Sequence, residues 1–250
     1  MADASPSLAQ LRAEIDEIDD GLLTLLERRI AIGRRVAAAK GDASGPFLRP
    51  GREAQILRRL AARLDGSDLP VPVMERVWRE ILAANLARQV EPVTVVWAPE
   101  GAEALVDLAR DRGGSSTRVE TVAEPAMALA AVADGRATLA VLPAPELTAW
   151  RWWPSLLVNS PQKPRIVARL PLFGGPDAVA GVGVAFQDPD PSGDDVTLWV
   201  VPGRLDGAVD MATCPDGTEL SLLAVDGWPT ASALPAGALA IGAYARTHHH

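Results

Sequence analysis

Leucine and isoleucine recur through the first forty residues at spacings of three and four: Leu8, Leu11, Ile15, Ile18, Leu22, Leu25, then Ile32 and Val36. This is the stripe of one long amphipathic helix over 8–40, built to pack on another helix. Ser5 is placed to cap it, with Pro6 in the first turn and acidic Glu14, Asp16 and Glu17 close behind; Gly41 ends it. At position 29 the stripe calls for an apolar residue and carries Arg29. A guanidinium in a packing seam is costly unless it finds a carboxylate, snorkels to solvent or meets an anionic ligand. A second helix is expected over 52–64, with Ile56, Leu57, Leu60 and Leu64 on one face, broken by Asp65-Gly66-Ser67-Asp68. In a third, over 73–89, the stripe of Met74, Trp78 and Ile81 runs on into Asn85 and Gln89, four residues apart on one face. Polar groups thus replace apolar ones at three places, the pattern of a polar pocket in a helical core.

From Pro92 the period changes. Strands are expected over 93–97, 117–122 and 137–142, alternating with helices over 103–112 and 125–133, which predicts a small parallel α/β unit. The stretch 143–191 is rich in proline and tryptophan and reads as irregular, apart from a strand over 165–170; further strands are expected over 197–201, 220–225 and 238–244. The resulting fold class is multi-domain: an all-α region over 1–91, an α/β region over 92–201 and a short tail over 202–247. His248, His249 and His250 look like a tag remnant and are set aside.

Composition narrows the chemistry. A net charge of −8 argues against a general nucleic-acid binder, whose footprint would be basic. Positive charge is instead gathered locally, at Arg28, Arg29, Arg34, Arg35 and Lys40. Cys214 is the only cysteine and there is no histidine before residue 248, so neither a metal site built on those ligands nor histidine acid–base catalysis is expected. The N-terminus lacks the basic and apolar regions of a signal peptide, and no apolar run is long enough to span a bilayer. The expectation is a cytoplasmic protein without cofactor, metal, nucleic acid or membrane partner. Trp150, Trp152 and Trp153 could form a ligand platform, or pack an irregular segment or a subunit contact.

The pattern Leu11-Arg12-x-x-Ile15-Asp16-x-Ile18-Asp19-x-x-Leu22-Leu23, then Glu27-Arg28-Arg29 and Val36-x-x-x-Lys40, resembles the all-helical chorismate mutases. The likeness continues through Arg49-Pro50-x-Arg52-Glu53 to Trp78-Arg79-Glu80-Ile81 and covers about the first ninety residues. It implies a three-helix domain in an intertwined homodimer, an isomerase converting chorismate to prephenate in aromatic amino-acid biosynthesis on the shikimate pathway. Arg12 and Arg29 would clamp the two substrate carboxylates, and Lys40 and Gln89 would donate to the ether oxygen. Glu53 would accept from the ring hydroxyl, Arg52 matches the family's loop-end arginine, and Asn85 stands where the family often has a small polar residue. Two departures are visible: Asn85 itself, and Arg49, where some members carry an acidic residue. The physics agrees, because a pericyclic shift of a dianion needs no nucleophile or metal, only a compressed conformer and donors aimed at the breaking C–O bond.

Pro99-Glu100-Gly101, Gly135-x-Ala137 to Leu142-Pro143, and Asp195-x-Thr197-Leu198-Trp199 resemble landmarks of a prephenate dehydratase, in degenerate form. Leu198 stands where that family has arginine, and the interval before Thr197 is too short for a second lobe, so no dehydratase activity is expected. Residues 220–244 resemble a shortened end of the ACT regulatory module. An unrelated α/β domain is the alternative. For the whole chain, the rivals to a mutase are an isochorismate–pyruvate lyase and a non-catalytic regulatory or partner-binding protein.

Overall fold

The computed structural model describes residues 6–39, 47–158, 160, 162–175, 179–228 and 237–248. The chain divides into two compact units, Met1–Gly45 and Pro46–His250. The fold class is the expected one, helices followed by a sheet region.

Among the described residues the first unit is a single helix, α1 (Leu8–Ala39). Its N-terminus is held by a reciprocal cap: Gln10 N donates to Ser7 Oγ at 3.3 Å and Ser7 N donates to Gln10 Oε1 at 2.7 Å. This is a capping box, the glutamine answering the serine three residues earlier. The cap expected at Ser5 lies outside the described residues, and Ser7 does the capping. Leu11, Ile15, Ile18, Leu22, Leu25, Ile32 and Val36 are all exposed.

In the second unit, α2 (Pro50–Ala61) and α3 (Val71–Ala87) are followed by β1 (Val93–Trp97), α4 (Ala104–Gly113), β2 (Arg118–Val122), α5 (Pro125–Ala133) and β3 (Leu139–Pro143). Then come β4 (Arg165–Leu170), β5 (Gly181–Ala185), β6 (Asp195–Pro202), β7 (Asp210–Thr213), β8 (Glu219–Asp226) and β9 (Leu239–Ala245). One nine-stranded sheet runs in the order β2-β1-β3-β5-β4-β9-β6-β8-β7, continuous across residue 202. Strands β2, β1 and β3 are parallel, as the alternating pattern predicts; β5 then enters antiparallel between β3 and β4.

Alternation along the central strands sends side chains into two cores. Val95, Trp97, Ala140 and Leu142 join α5 on one face, while Val96, Leu139 and Val141 join Leu105 and Ala109 of α4 on the other. With both faces covered, these strands read as unbroken apolar runs. A third cluster sets Ala54 and Leu57 of α2 and Met74 of α3 against Leu172 and Ala245, so the two helices pack on the sheet region itself.

Two strands differ from expectation. β7 is four residues long. β5, Gly-Val-Gly-Val-Ala, falls in the stretch read as irregular, because glycine weakens any strand signal. The space here is tight: a Cβ on Gly183 would lie 3.0 Å from the Leu139 side chain and 3.3 Å from that of Ala168.

The tryptophans divide. Trp152 and Trp153 are buried, their indole N–H groups donating to Pro143 O at 3.1 Å and Asp210 Oδ2 at 2.8 Å. Both are therefore packing residues. Trp150 is exposed and meets Trp97 edge-on, with centroids 6.0 Å apart. His248, set aside above with the tag, pairs with the sheet region: its N donates to Leu172 O at 3.0 Å and its O accepts from Gly174 N at 3.1 Å.

Candidate functional site

On α1, Arg12 is exposed and Arg29 half-buried. Neither forms an ion pair among the described residues. Burial pulls the Arg29 guanidinium below its ordinary pKa, the mark of a cation partly stripped of water and without a compensating carboxylate. At 1.5 Å per residue, Arg12 and Arg29 stand roughly 26 Å apart along the helix. Lys40 lies outside the described residues.

The N-terminus of α2 is built around a carboxylate from far along the chain. Asp190 accepts from Gly51 N at 3.0 Å, Arg52 N at 3.1 Å and Arg49 Nε at 3.2 Å. Pro50 occupies the first turn, where its missing N–H costs nothing, and the exposed amides beyond it meet a negative charge that also suits the helix dipole. Gly51 is required: a Cβ there would lie 2.1 Å from Asp190 O. The Arg52 side chain is exposed and donates to Gln55 Oε1 at 3.0 Å.

Glu53, one turn into α2, points into an ionic cluster. Arg79 Nη1 of α3 donates to Glu53 Oε2 at 3.3 Å, and Arg79 Nη2 reaches Glu75 Oε1 at 3.2 Å. Arg112 Nη2 of α4 lies 2.7 Å from the same Glu53 Oε2, too oblique for a hydrogen bond, so that contact is coulombic. All four side chains are at most 16% exposed. Burial is the largest influence on Arg79 and pulls its pKa down; Arg112 adds to this, while Glu53 and Glu75 oppose it. Glu53 Oε1 makes no hydrogen bond among the described residues.

Asn85 continues the Trp78 stripe of α3, whereas Gln89, expected at the end of this helix, lies in the turn just past it, because α3 ends at Ala87. Asn85 Nδ2 donates to Ile81 O at 3.0 Å, and Gln89 Nε2 donates to Asn85 O at 3.1 Å. Both acceptors are carbonyls of α3. Arg52, Glu53, Asn85 and Gln89 therefore all lie in the second unit, and Arg12 and Arg29 on α1.

Sequence reasoning missed Glu75, Arg79, Arg112 and Asp190. The Glu75–Arg79 spacing of four was a usable signal; the other two act across long stretches of chain. A concavity of about 660 Å³ lies elsewhere: Arg76, Glu80, Arg110, Asp111 and Ser115 line it. Among the described residues no group of histidine, cysteine, aspartate and glutamate could hold a metal ion.

In β6, where dehydratase landmarks were sought, Leu198 is buried, and Thr197 Oγ1 donates to Gly227 O at 2.7 Å.

Comparison with known proteins bears on the helical segment. Residues 11–90 match the family model of chorismate mutase type II. A bifunctional chorismate mutase/prephenate dehydratase of Aquifex aeolicus is 35% identical over 83 residues, which is 32% of this chain and 23% of that protein. A 4-amino-4-deoxychorismate mutase of Streptomyces venezuelae is 41% identical over 54 residues, 22% of this chain and 52% of that one. The chain thus spans about a quarter and about half of these relatives. Among solved structures, GqqA, described as a novel type of quorum-quenching acylase, has a TM-score of 0.47 at 18% identity, over 63% of this chain and 97% of that one. A prephenate dehydratase from Streptococcus mutans has a TM-score of 0.44 at 10% identity, over 63% and 99%. What residues 11–90 carry is a chorismate mutase type II segment.

Proposed function

We propose that the protein is a chorismate mutase, rearranging chorismate to prephenate in aromatic amino-acid biosynthesis. The observation that carries this is the family match over 11–90, a segment holding Arg12, Arg29, Lys40, Arg52, Glu53, Asn85 and Gln89 together. Arg29, half-buried and without an ion pair among the described residues, supports it. Such a cation suits an anionic ligand and is a poor structural element by itself.

In this reading Arg12 and Arg29 grip the two carboxylates in bidentate fashion and hold the diaxial conformer. Lys40 and Gln89 donate to the ether oxygen as negative charge grows on it. Glu53 accepts from the ring hydroxyl, and Arg52 and Asn85 complete the binding of the substrate. No cofactor or metal enters the reaction.

The distance along α1 sets the assembly. Arg12 and Arg29, roughly 26 Å apart on one helix, cannot reach one chorismate from the same chain. We infer a homodimer in which Arg12 of one copy serves the partner's substrate, with the exposed stripes of the two first helices covering each other. The helical region (1–91), the dehydratase-like region (92–201) and the shortened ACT-like tail (202–247) are the divisions this reading assigns. The sheet region has no dehydratase activity in this reading: Leu198 replaces the arginine and Thr197 is committed to Gly227. A cytoplasmic setting fits a chain in which no described helix is long and apolar enough to cross a membrane.

The test is loss of chorismate absorbance with the purified chain, with isochorismate assayed beside it. Prephenate formation that Arg29→Ala abolishes is expected; salicylate and pyruvate from isochorismate alone would favour the lyase, and turnover of neither would end the enzymatic reading. Supplied prephenate should yield no phenylpyruvate above the uncatalysed rate.

A further inference from the structure

Arg112 lies on α4, beyond the matched segment, and yet is in contact with a candidate residue of the mutase site. Both Arg79 and Arg112 approach Glu53 through Oε2, which leaves Oε1 as the acceptor of that carboxylate. Arg79 is shared with Glu75. Two guanidinia and two carboxylates thus form a buried cluster without net charge. The neighbouring cations are compensated separately: Arg49 by Asp190, Arg76 by Asp111, Arg169 by Glu146. Arg52, the remaining cation of α2 near Glu53, is exposed to solvent. The two spaces that Glu53 and Arg112 both line amount to about 20 Å³ each, while Arg112, Arg79 and Glu75 also border a wider one of about 250 Å³. At 2.7 Å the charges of Arg112 and Glu53 offset one another directly.

We propose that Arg112 is a specificity-determining residue: by neutralising Glu53 it makes the site select a neutral hydroxyl over a cationic amino group at the substrate's ring position. This rests on the mutase reading and on Glu53 as the ring-substituent acceptor. A compensated carboxylate can still accept a hydrogen bond from a hydroxyl through Oε1. It offers no net negative charge to an ammonium group, and transferring that group into a site without countercharge is costly. An uncompensated carboxylate would have the opposite preference. The 4-amino-4-deoxychorismate named for the Streptomyces relative differs from chorismate in this substituent, and an aliphatic amine is protonated at neutral pH.

The experiment compares kcat/KM for chorismate and 4-amino-4-deoxychorismate in the full chain. The wild type is expected to prefer chorismate. Arg112→Gln, which keeps a polar side chain and removes the charge, should shift the ratio toward the amino substrate by about tenfold at neutral pH. That shift should fade as the pH rises through the amine's own pKa, since the remaining arginines stay charged. Arg112→Lys should keep the wild-type ratio, and it carries the test if Arg112→Gln does not fold: a ratio moved tenfold by lysine overturns the proposal. A folded Arg112→Gln protein with the wild-type ratio would reduce Arg112 to a packing contact, and a wild type that prefers the amino substrate would overturn the proposal while leaving mutase chemistry intact. Failure of the wild type to turn over either substrate would instead remove the mutase reading.

Discussion

The matched segment holds two kinds of polar residue, and α1 and the α2–α3 pair keep them in opposite states. On α1, Arg12 and Arg29 have no ion pair among the described residues, and the apolar stripe around them is exposed. On α2, α3 and the turn after it the candidate residues are already engaged: Glu53 by Arg79 and Arg112, the Arg52 amide by Asp190, and the Asn85 and Gln89 side-chain amides by carbonyls of α3. Within the second unit, Glu53 and the Arg52 amide are held by partners from beyond the matched segment, Arg112 and Asp190. The first unit carries cations without an ion pair among the described residues and exposed apolar side chains, the two features that a substrate dianion and a second copy would satisfy.

The contrast separates effects on activity from effects on stability. Arg29→Ala should lower kcat/KM by about a thousandfold, equivalent to about 4 kcal/mol of lost transition-state stabilisation. Its urea midpoint should hardly move, because among the described residues no ion pair is broken. Glu53→Ala should do the reverse of sparing the fold: it strands Arg112, leaves Arg79 with Glu75 alone, and should destabilise the second unit by about 3–5 kcal/mol, read by urea denaturation. Gly51→Ala forces the α2 N-terminus away from Asp190 and should cost about 1–3 kcal/mol in the same measurement. A Gly51→Ala protein as stable as wild type would show that Asp190 does not hold the helix.

The smallest effect sharpens the contrast at Gln89. A neutral amide donates at any ordinary pH, whereas a carboxylate must be protonated to donate. Gln89→Glu should therefore keep activity in acid and lose about tenfold for each pH unit above the glutamate's pKa. A flat profile would place Gln89 outside the site.

Legibility followed the range of the forces involved. The three helices and the alternation from β1 to β3 were readable because a stripe of apolar residues states its period locally. Arg29 was readable as a break in such a stripe. β5 was not, since its glycines answer the closeness of Leu139 and Ala168, which no local pattern records. Glu53 was identified from its motif, but its partner Arg112 belongs to an element whose own stripe gives no hint of it. Asp190 likewise sits in a stretch that reads as irregular, 138 residues from the Arg52 amide it accepts from. The packing role open to the clustered tryptophans is the one that Trp152 and Trp153 take, as core residues with their N–H groups satisfied.

The claim that joins these observations is that the cations of α1 act across two copies, and mixing variants tests it most directly. Arg12→Ala and Arg29→Ala proteins should each be nearly inactive alone. In a mixed dimer the Arg12→Ala chain supplies Arg29 to one site and its partner supplies Arg12, so that site is whole and the other lacks both. Co-refolding equal amounts should make about half the dimers mixed and restore about a quarter of wild-type activity. If mixed dimers form and activity stays at the level of the separate variants, the two arginines do not share a substrate across copies, and the account of α1 fails.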